Sequence, residues 1–385
     1  MGPVVMIIGF ILMIVIHEGG HYVAAKAFGM KVTEFFVGFG PTLWSGRRGE
    51  TEYGLKLIPL GGFVRIVGMN PFEEVEPGDE QRTYRVAPFW QKSIVILAGI
   101  ASHFVVAIVL LWIVAWAWGT FATDTEGQLI RTTTIAAVSE ELPSSSEPTP
   151  ASLSGVQAGD TIIAVDGTSI TTWDEFSDFA QDNGGNTVTI TVDRDGETID
   201  LETTLVTIDR PIIVDGEILL DSNGEPVLEA SGFFGVTPEP VVETAGLLGA
   251  IPVAIGQFAN AFVQSIQGLW AMVIGFPALV ASLFGGNEEV LETVRPISPI
   301  GLVRIAGPLE STLQLLALVN IFVGVLNFVP LYPLDGGHFA VALYEKVTGR
   351  EPNVQKLLPV AAVVFIFIVS IGLMGVYLDI FKPIG

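Results

Sequence analysis

The 385-residue sequence contains no cysteine. That excludes disulfide staples, thiolate metal sites and a cysteine nucleophile, and confines any catalyst to histidine, carboxylates, serine or a metal. Charge is scarce too: 15% of residues are Asp, Glu, Lys or Arg, half are apolar, and the mean hydropathy is +0.58. This composition reads as a polytopic α-helical membrane protein. Basic residues are the rarer sign, 18 Lys and Arg against 41 Asp and Glu, for a net charge of −23 that disfavours nucleic acid as a partner. Histidine is rarer still. Of four in the chain, two stand within five residues, in IVIHEGGHYV (14–23).

Hydropathy marks spanning stretches at about 3–27, 92–118 and 357–381, and a fourth at about 312–334 that Asn320, Asn327, Pro330 and Pro333 interrupt. The first lacks a basic leader and a small-residue cleavage site, so it is expected to persist as an anchor. Lys and Arg number nine in 26–92, five in 93–310 and three in the short 346–356 loop, which places the first and last of these loops in the cytoplasm. Acidic residues run the other way: 28 fall between 119 and 311, so the negative charge lies mostly outside the cell, ordinarily as a solvated face. The nearly uncharged stretch 245–283 is long enough to span, yet one extra crossing would reverse the polarity of everything after it. Helices lying on or dipping into the outer surface are therefore expected there.

Helix rise puts His17 roughly 21 Å into a hydrocarbon core about 30 Å thick, counted from Pro3. Residues four apart share a helix face, so His17 and His21 can present two imidazoles to one ion with Glu18 beside them. Two neutral nitrogen ligands plus a carboxylate that takes a proton from water is the zinc-peptidase arrangement. The bland alternative is a pair of packed histidines. Against it, a lone Glu deep in a bilayer costs on the order of 3 kcal/mol, and the two glycines beside it cost about 1 kcal/mol each relative to Ala. A third ligand has to come from elsewhere. Asp335, in NFVPLYPLDGGHF (327–339), ends the proline-broken fourth stretch, where irregular backbone must line a cavity or pack on protein. It competes with an ordinary turn at a helix end, and His103 and His338 are weaker candidates. Two histidines and a carboxylate also form an iron triad, and only Glu18 tips the reading to zinc.

HEGGH in the first span together with NFVPLYPLDGG in a late one resembles the site-2 protease family, zinc metalloproteases that cut within the membrane, in its bacterial form with a PDZ domain. The resemblance implies His17, His21 and Asp335 as metal ligands, Glu18 as catalytic base and Zn(2+) as cofactor. Asn327, Pro330 and Leu334 match the Asn-x-x-Pro-x-x-x-Leu-Asp-Gly pattern, which implies substrate binding at Asn327 and Pro330. The segment from VGFGPTLW to YGLKLIPLGGFVRI (37–66) resembles the family's membrane-dipping loop and sheet, extending that role to Gly38 and Gly40. WQKSIVILAG resembles the second span. There the family usually reads Ala-Gly-Pro-x-x-Asn, and this chain has Ile100 and His103 instead of the Pro and Asn.

The middle reads as short strands, a helix and hairpins: SGVQAGDTIIAVDGTSITTWDEF (154–176), then NTVTITVDRDGETIDLETTLV (186–206) with a turn at Asp195-Gly196. It resembles a bacterial protease PDZ domain through Ala158, Gly159, Asp160, Val165, Asp166 and Gly167, a fold that takes extended segments by strand addition. ELPSSSEPTP (141–150) is a flexible insertion, and WGTFATDTEG (118–127) tethers the module to the second span.

The expected fold is thus four transmembrane helices with a membrane-associated β-sheet and an inserted α+β PDZ-like domain. Residues 1–120 carry helices 1 and 2 with HEGGH and the sheet, 121–206 the PDZ-like domain, 207–311 a β-rich stretch and surface amphipathic helices, and 312–385 helices 3 and 4 with the LDG motif. The expected function is intramembrane zinc proteolysis of single-span membrane proteins, such as anti-sigma factors or signal-peptide remnants, in the lipid bilayer of the cytoplasmic membrane after an upstream site-1 protease has cut the same substrate. Two rivals stand beside it: a membrane-anchored zinc peptidase acting on segments outside the bilayer, and a non-enzymatic PDZ scaffold or metal transporter.

Overall fold

The structure, a computed structural model, describes residues 1–70, 73–123, 128–143, 145–214, 217–219, 226–285, 295–350 and 354–382. Parts of the expected tether (124–127), the Ser- and Pro-rich insertion (144), the second β-rich stretch (215, 216, 220–225) and the basic loop (351–353) lie outside the described residues. In chain order the helices are α1 (Gly2–Ala27), α2 (Phe89–Ala117), α3 (Pro150–Ser154), α4 (Trp173–Asp182), α5 (Ala250–Gly285), α6 (Pro299–Ile305), α7 (Leu309–Phe328), α8 (Asp335–Thr348) and α9 (Leu358–Phe381). The chain divides into two compact units, Met1–Trp118 with Thr244–Gly385, and Gly119–Glu243.

In the first unit, α1, α2, α5, α7 and α9 are long and apolar enough to cross a membrane. Five candidates stand where four spans were expected, the addition being α5. Pro3 opens α1 at a position where its missing N–H costs no bond, and the helix closes at Gly29, whose φ of +74° lets Met30 N–H reach back to Ala25 O. Small residues set the close approaches: a methyl at Gly20 would meet Ala98 O of α2 at 2.5 Å, and one at Gly324 of α7 would meet Phe104. Helix α7 stops at Phe328 because Pro330 and Pro333 follow.

Helix α5 packs along α2 and α9, and the chain just before it meets the end of α2. Trp112, near the end of α2, donates to Leu247 O at 2.9 Å, and Phe258 and Phe262 pack on Phe104 midway down α2. Beyond, Phe276 meets Phe367, and Leu279 shares a buried cluster with Met374 and Leu378 near the end of α9. Asp379 anchors that end, accepting from Ser298 N–H at 2.7 Å and from Arg295 at 3.1 Å.

Two long strands, β1 (Val32–Arg48) and β2 (Thr51–Ile66), form the sheet of this unit. Gly38 and Gly40 hold φ of +89° and +85°, so β1 bends and residues 34–37 pair twice, with 52–55 on one side and 62–65 on the other. The resulting ribbon runs in the order 44–48, 51–55, 34–37, 62–65. Segment 62–65 is an edge, and it lies against α1.

The second unit carries a six-stranded antiparallel sheet in the order Val236–Pro240, Arg131–Val138, Thr161–Val165, Thr187–Arg194, Glu197–Thr204, with Thr168–Ser169 pairing Thr161–Val165. Its core is Ile135, Ile162, Val165, Phe176, Ile190, Val192 and Phe234. Helix α4 begins with a capping box between Thr172 and Glu175. The unit runs on to Glu243 rather than stopping at 206, because Val236–Pro240 adds to the edge of Arg131–Val138. Its two chain ends meet, Thr120 opposite Glu243 and Phe121 opposite Val242, the arrangement of an inserted domain.

Candidate active site

His17, Glu18 and His21 lie on α1 and Asp335 is the first residue of α8. The two elements meet because of the glycines after Asp335. A methyl at Gly336 would run into the carbonyl oxygens of Phe328 and Val329, and one at Gly337 would lie 2.5 Å from Tyr332 N. The chain leaving α7 can therefore fold tightly over the start of α8, whose amide dipoles favour a carboxylate there. Asp335 Oδ2 then sits 3.4 Å from His17 Nε2 and 3.3 Å from His21 Nε2, and the three donor atoms lie within 4.8 Å of one another.

The fit to zinc can be tested on these distances. Tetrahedral bonds of 2.0–2.2 Å to nitrogen and oxygen require donor–donor edges of about 3.3–3.6 Å; the two edges to Asp335 fall in that range, and the imidazole–imidazole edge is at most 4.8 Å. Asp335 Oδ2 is buried without a well-aligned hydrogen bond. His21 Nδ1 donates to Val95 O at 2.8 Å, which turns the Nε2 lone pair toward Asp335 and holds the ring in one tautomer. The set of residues accommodates a divalent ion of zinc's preferences.

A cavity of about 740 Å³ joins these donors to Glu18, the edge Gly62–Ile66 of β2, Tyr332, His338 and the start of α9 at Leu357–Leu358. A methyl at Gly62 would stand 3.0 Å from Glu18 Cγ, so the glycine is what lets the strand edge pass the carboxylate. Arg65 closes the rim, donating at 2.9 Å to both Glu34 and Glu73.

The other sequence candidates fall around this centre. His103 stacks on His17 with centroids 4.7 Å apart, places Nδ1 3.2 Å from Asn320 Oδ1, and lies outside the three-donor group. Asn327 is half-buried in the last turn of α7, on the Asn320 face seven residues on, and is not among the cavity's lining residues. Pro330 lines a neighbouring groove of about 470 Å³ that shares Tyr332 and Leu357 with the cavity. Gly38 and Gly40 shape the bend of β1 against Ile58 and do not line the cavity. The residues that sequence reasoning passed over are Gly62, Val95, Gly99 and Tyr332. Only contact reveals them, since a backbone carbonyl or a glycine leaves no chemical mark in a sequence.

Residues 5–371 match peptidase family M50. Zinc metalloprotease Rip1 of Mycobacterium tuberculosis (strain ATCC 25618 / H37Rv) is 33% identical over the whole chain and 98% of its own length. The Rip1 of Mycolicibacterium smegmatis is equally similar, and metalloprotease MmpA of Caulobacter vibrioides is 26% identical over 89% of each chain. Among solved structures, the PDZ domain of an SdrC-like protein from Listeria innocua is 23% identical over 28% of this chain and 92% of its own, with a TM-score of 0.18 that carries no fold argument. From a family match that runs nearly end to end, and from relatives matched along their full length, it follows that the chain belongs to peptidase family M50.

Proposed function

We propose that this M50 peptidase is an intramembrane zinc metalloprotease that cuts single-span membrane proteins after a first cut has removed their outer domains. The observation that carries the reading is the convergence of His17, His21 and Asp335 in one cavity with Glu18, on a helix apolar enough to cross a membrane. His17, His21 and Asp335 would hold the ion. When bound, zinc supplies a Lewis acid and makes water a stronger nucleophile at neutral pH. Glu18 is the base: its carboxylate takes the proton of the attacking water and passes it to the leaving amine.

A helical substrate has its amides hydrogen bonded and sterically covered, so it must unwind to be cut. Segment 62–65 has no strand partner on its α1 side among the described residues, and its backbone can take over those hydrogen bonds by strand addition beside Glu18. Exposed Phe39, Leu43, Trp44, Leu57 and Ile58 give the hairpin an apolar surface suited to lipid. Parity supports a helix α5 that rests on or dips into the outer leaflet rather than making a fifth crossing. That keeps the active site toward the cytoplasmic side and unit Gly119–Glu243 outside, as the distribution of Lys and Arg requires.

The test is Glu18→Gln, which spares both imidazoles and removes only the base. Zinc content is expected to persist and cleavage of a membrane substrate to cease. Full activity in this variant would sink the peptidase assignment. Asp335→Asn is expected to weaken zinc retention, whereas unchanged occupancy there combined with loss in His103→Ala would move the third ligand to His103. Unit Gly119–Glu243 acts as a size filter, and since its ends meet it can be removed whole. Its removal is expected to increase cutting of untrimmed substrates; reduced cutting of trimmed ones would mean the unit presents chain ends instead.

A further inference from the structure

Beyond the ion that the three donors would hold and the base, hydrolysis gains from a further donor at the carbonyl oxygen. As water adds to the scissile carbonyl, the new C–O bond forms, the π pair moves onto the carbonyl oxygen and the water's proton passes to Glu18. Later the C–N bond breaks and that proton goes to the amine. In between, the former carbonyl oxygen carries negative charge, and a preorganised donor aimed at it accelerates the reaction. Among the donors that line the cavity, Arg65 is engaged by Glu34 and Glu73, and Asn70 has contacts of its own.

Tyr332 and His338 remain, and they are joined to each other. Tyr332 Oη lies 2.9 Å from His338 Nδ1 and the ring centroids are 4.4 Å apart. His338 follows Asp335 by three residues on α8, so the two side chains leave one face of the helix a turn apart, and both line the cavity that holds Glu18. The Tyr332 hydroxyl can donate to Nδ1, and in that tautomer the imidazole proton is on Nε2, which makes no hydrogen bond among the described residues. His338 is also outside the metal-holding group, so its donor is free for substrate.

We infer that His338 is a catalytic residue whose Nε2–H stabilises the substrate oxyanion, and that Tyr332 is the positioning residue that fixes its tautomer and aim. The inference rests on the assignment of Glu18 and the three donors made above. Its test compares His338→Ala, His338→Gln, Tyr332→Phe and Glu18→Gln in the full-length, zinc-loaded protein. Four quantities are read: kcat and KM on a cleavable substrate, zinc content, thermal midpoint, and affinity for a phosphinic peptide beside that for a non-cleavable substrate-like peptide.

His338→Ala is expected to lower kcat by roughly 100- to 1,000-fold with KM little changed and zinc retained. His338→Gln keeps an N–H and recovers part of the loss, and Tyr332→Phe loses about tenfold, the lower range for a second partner that orients a site histidine. The phosphinic peptide, which carries the tetrahedral anion, weakens in step with kcat/KM while the substrate-like peptide does not. A kcat within threefold of wild type in His338→Ala overturns the inference, as does zinc loss across the His338 and Tyr332 variants or equal weakening of both peptides. If Glu18→Gln stays active, the site assignment falls and the inference with it; if Glu18→Gln is dead and His338→Ala is not, only the inference falls.

Discussion

Gly99 of α2 stands in the Ala-Gly pair of the second span, and a methyl there would strike the ring of His21 itself. A methyl built there collides with Nε2 and Cε1 of His21 and stands 2.8 Å from Cδ2. The ring has no room to retreat. Its Nδ1 is bonded to Val95 O at 2.8 Å, and its other flank meets His17 edge-on at 4.8 Å. Gly99→Ala must therefore rotate the imidazole or part α1 from α2, and overpacking of this kind costs about 1–3 kcal/mol. Rotation also breaks the bond to Val95, and loss of such an outer partner weakens metal affinity by roughly 10- to 100-fold. Two routes lead to the same range, so zinc affinity is expected to fall about 10- to 100-fold, with cleavage at limiting zinc falling in parallel. Chelator competition on detergent-purified protein measures it, with circular dichroism as a check on folding. Gly19→Ala is the control: it lies within the HEGGH motif, but its methyl would meet nothing within 4 Å. A Gly99→Ala protein that binds zinc within twofold of wild type would refute the packing argument, since the collision would then be relieved without moving His21.

Three further outcomes follow from other parts of the chain. Hydrogen bonds from Arg82, then Lys26, hold the Glu50 carboxyl down at about 2 from an ordinary 4.5, so its contribution is complete above about pH 4.5 and fades as pH falls toward 2; the gap in thermal midpoint between wild type and Glu50→Gln should close over that window, and a gap independent of pH would contradict the assignment. Asp160 is buried, accepts from the partly exposed Arg194 at 2.7 and 2.8 Å and from Gln157 N–H at 2.8 Å, so Asp160→Asn should destabilise unit Gly119–Glu243; faster limited proteolysis of that unit with unchanged zinc content checks it. Because the chain has no cysteine, single cysteines at 70, 170 and 350 report sidedness without a background. Positions 70 and 350 should label from the cytoplasm and 170 from outside, and a cytoplasmic signal at 170 would overturn the charge-based topology.

Much of the helical framework was legible because membrane spans obey a one-dimensional rule. A stretch of about 20 apolar residues is visible without knowing its neighbours, and α1, α2, α7 and α9 lie close to the stretches that hydropathy marks. Helix α5 shows where that rule stops. Its length and composition match a span, and only contact shows that it packs on Phe104 of α2 and Phe367 of α9. Unit Gly119–Glu243 failed to show its far boundary for a related reason. The strand Val236–Pro240 holds two prolines and reads as part of a separate β-rich stretch, but it is an edge strand, where a missing N–H is tolerated, and it closes on Arg131–Val138 more than 90 residues earlier.

The site divides along the same line. His17, Glu18 and His21 are a local pattern, written in one helical turn, so spacing alone exposes their chemistry. Asp335 is over 300 residues away, and what marks it is the pair of glycines that let Phe328 and Val329 pack on the start of α8. His103 is the instructive case, since a histidine within a span reads as either ligand or packing residue. In the structure its Nδ1 meets Asn320 and its ring covers His17. The polar interruption of α7 and the unusual histidine of α2 are thus one feature: Asn320 accepts from His103, donates to Leu316 O, and so holds the ring that stacks on His17. Neither is interpretable alone, because the Asn320 carbonyl oxygen and the His103 Nδ1–H each find their side-chain partner in the other. The pairing implies that Asn320→Leu should disturb His17 through His103 although residue 320 belongs to no motif, and that Asn320→Leu combined with His103→Leu should be better tolerated than either substitution by itself. Zinc retention in the two single variants and the double variant decides the point: additive losses would mean the two residues act separately.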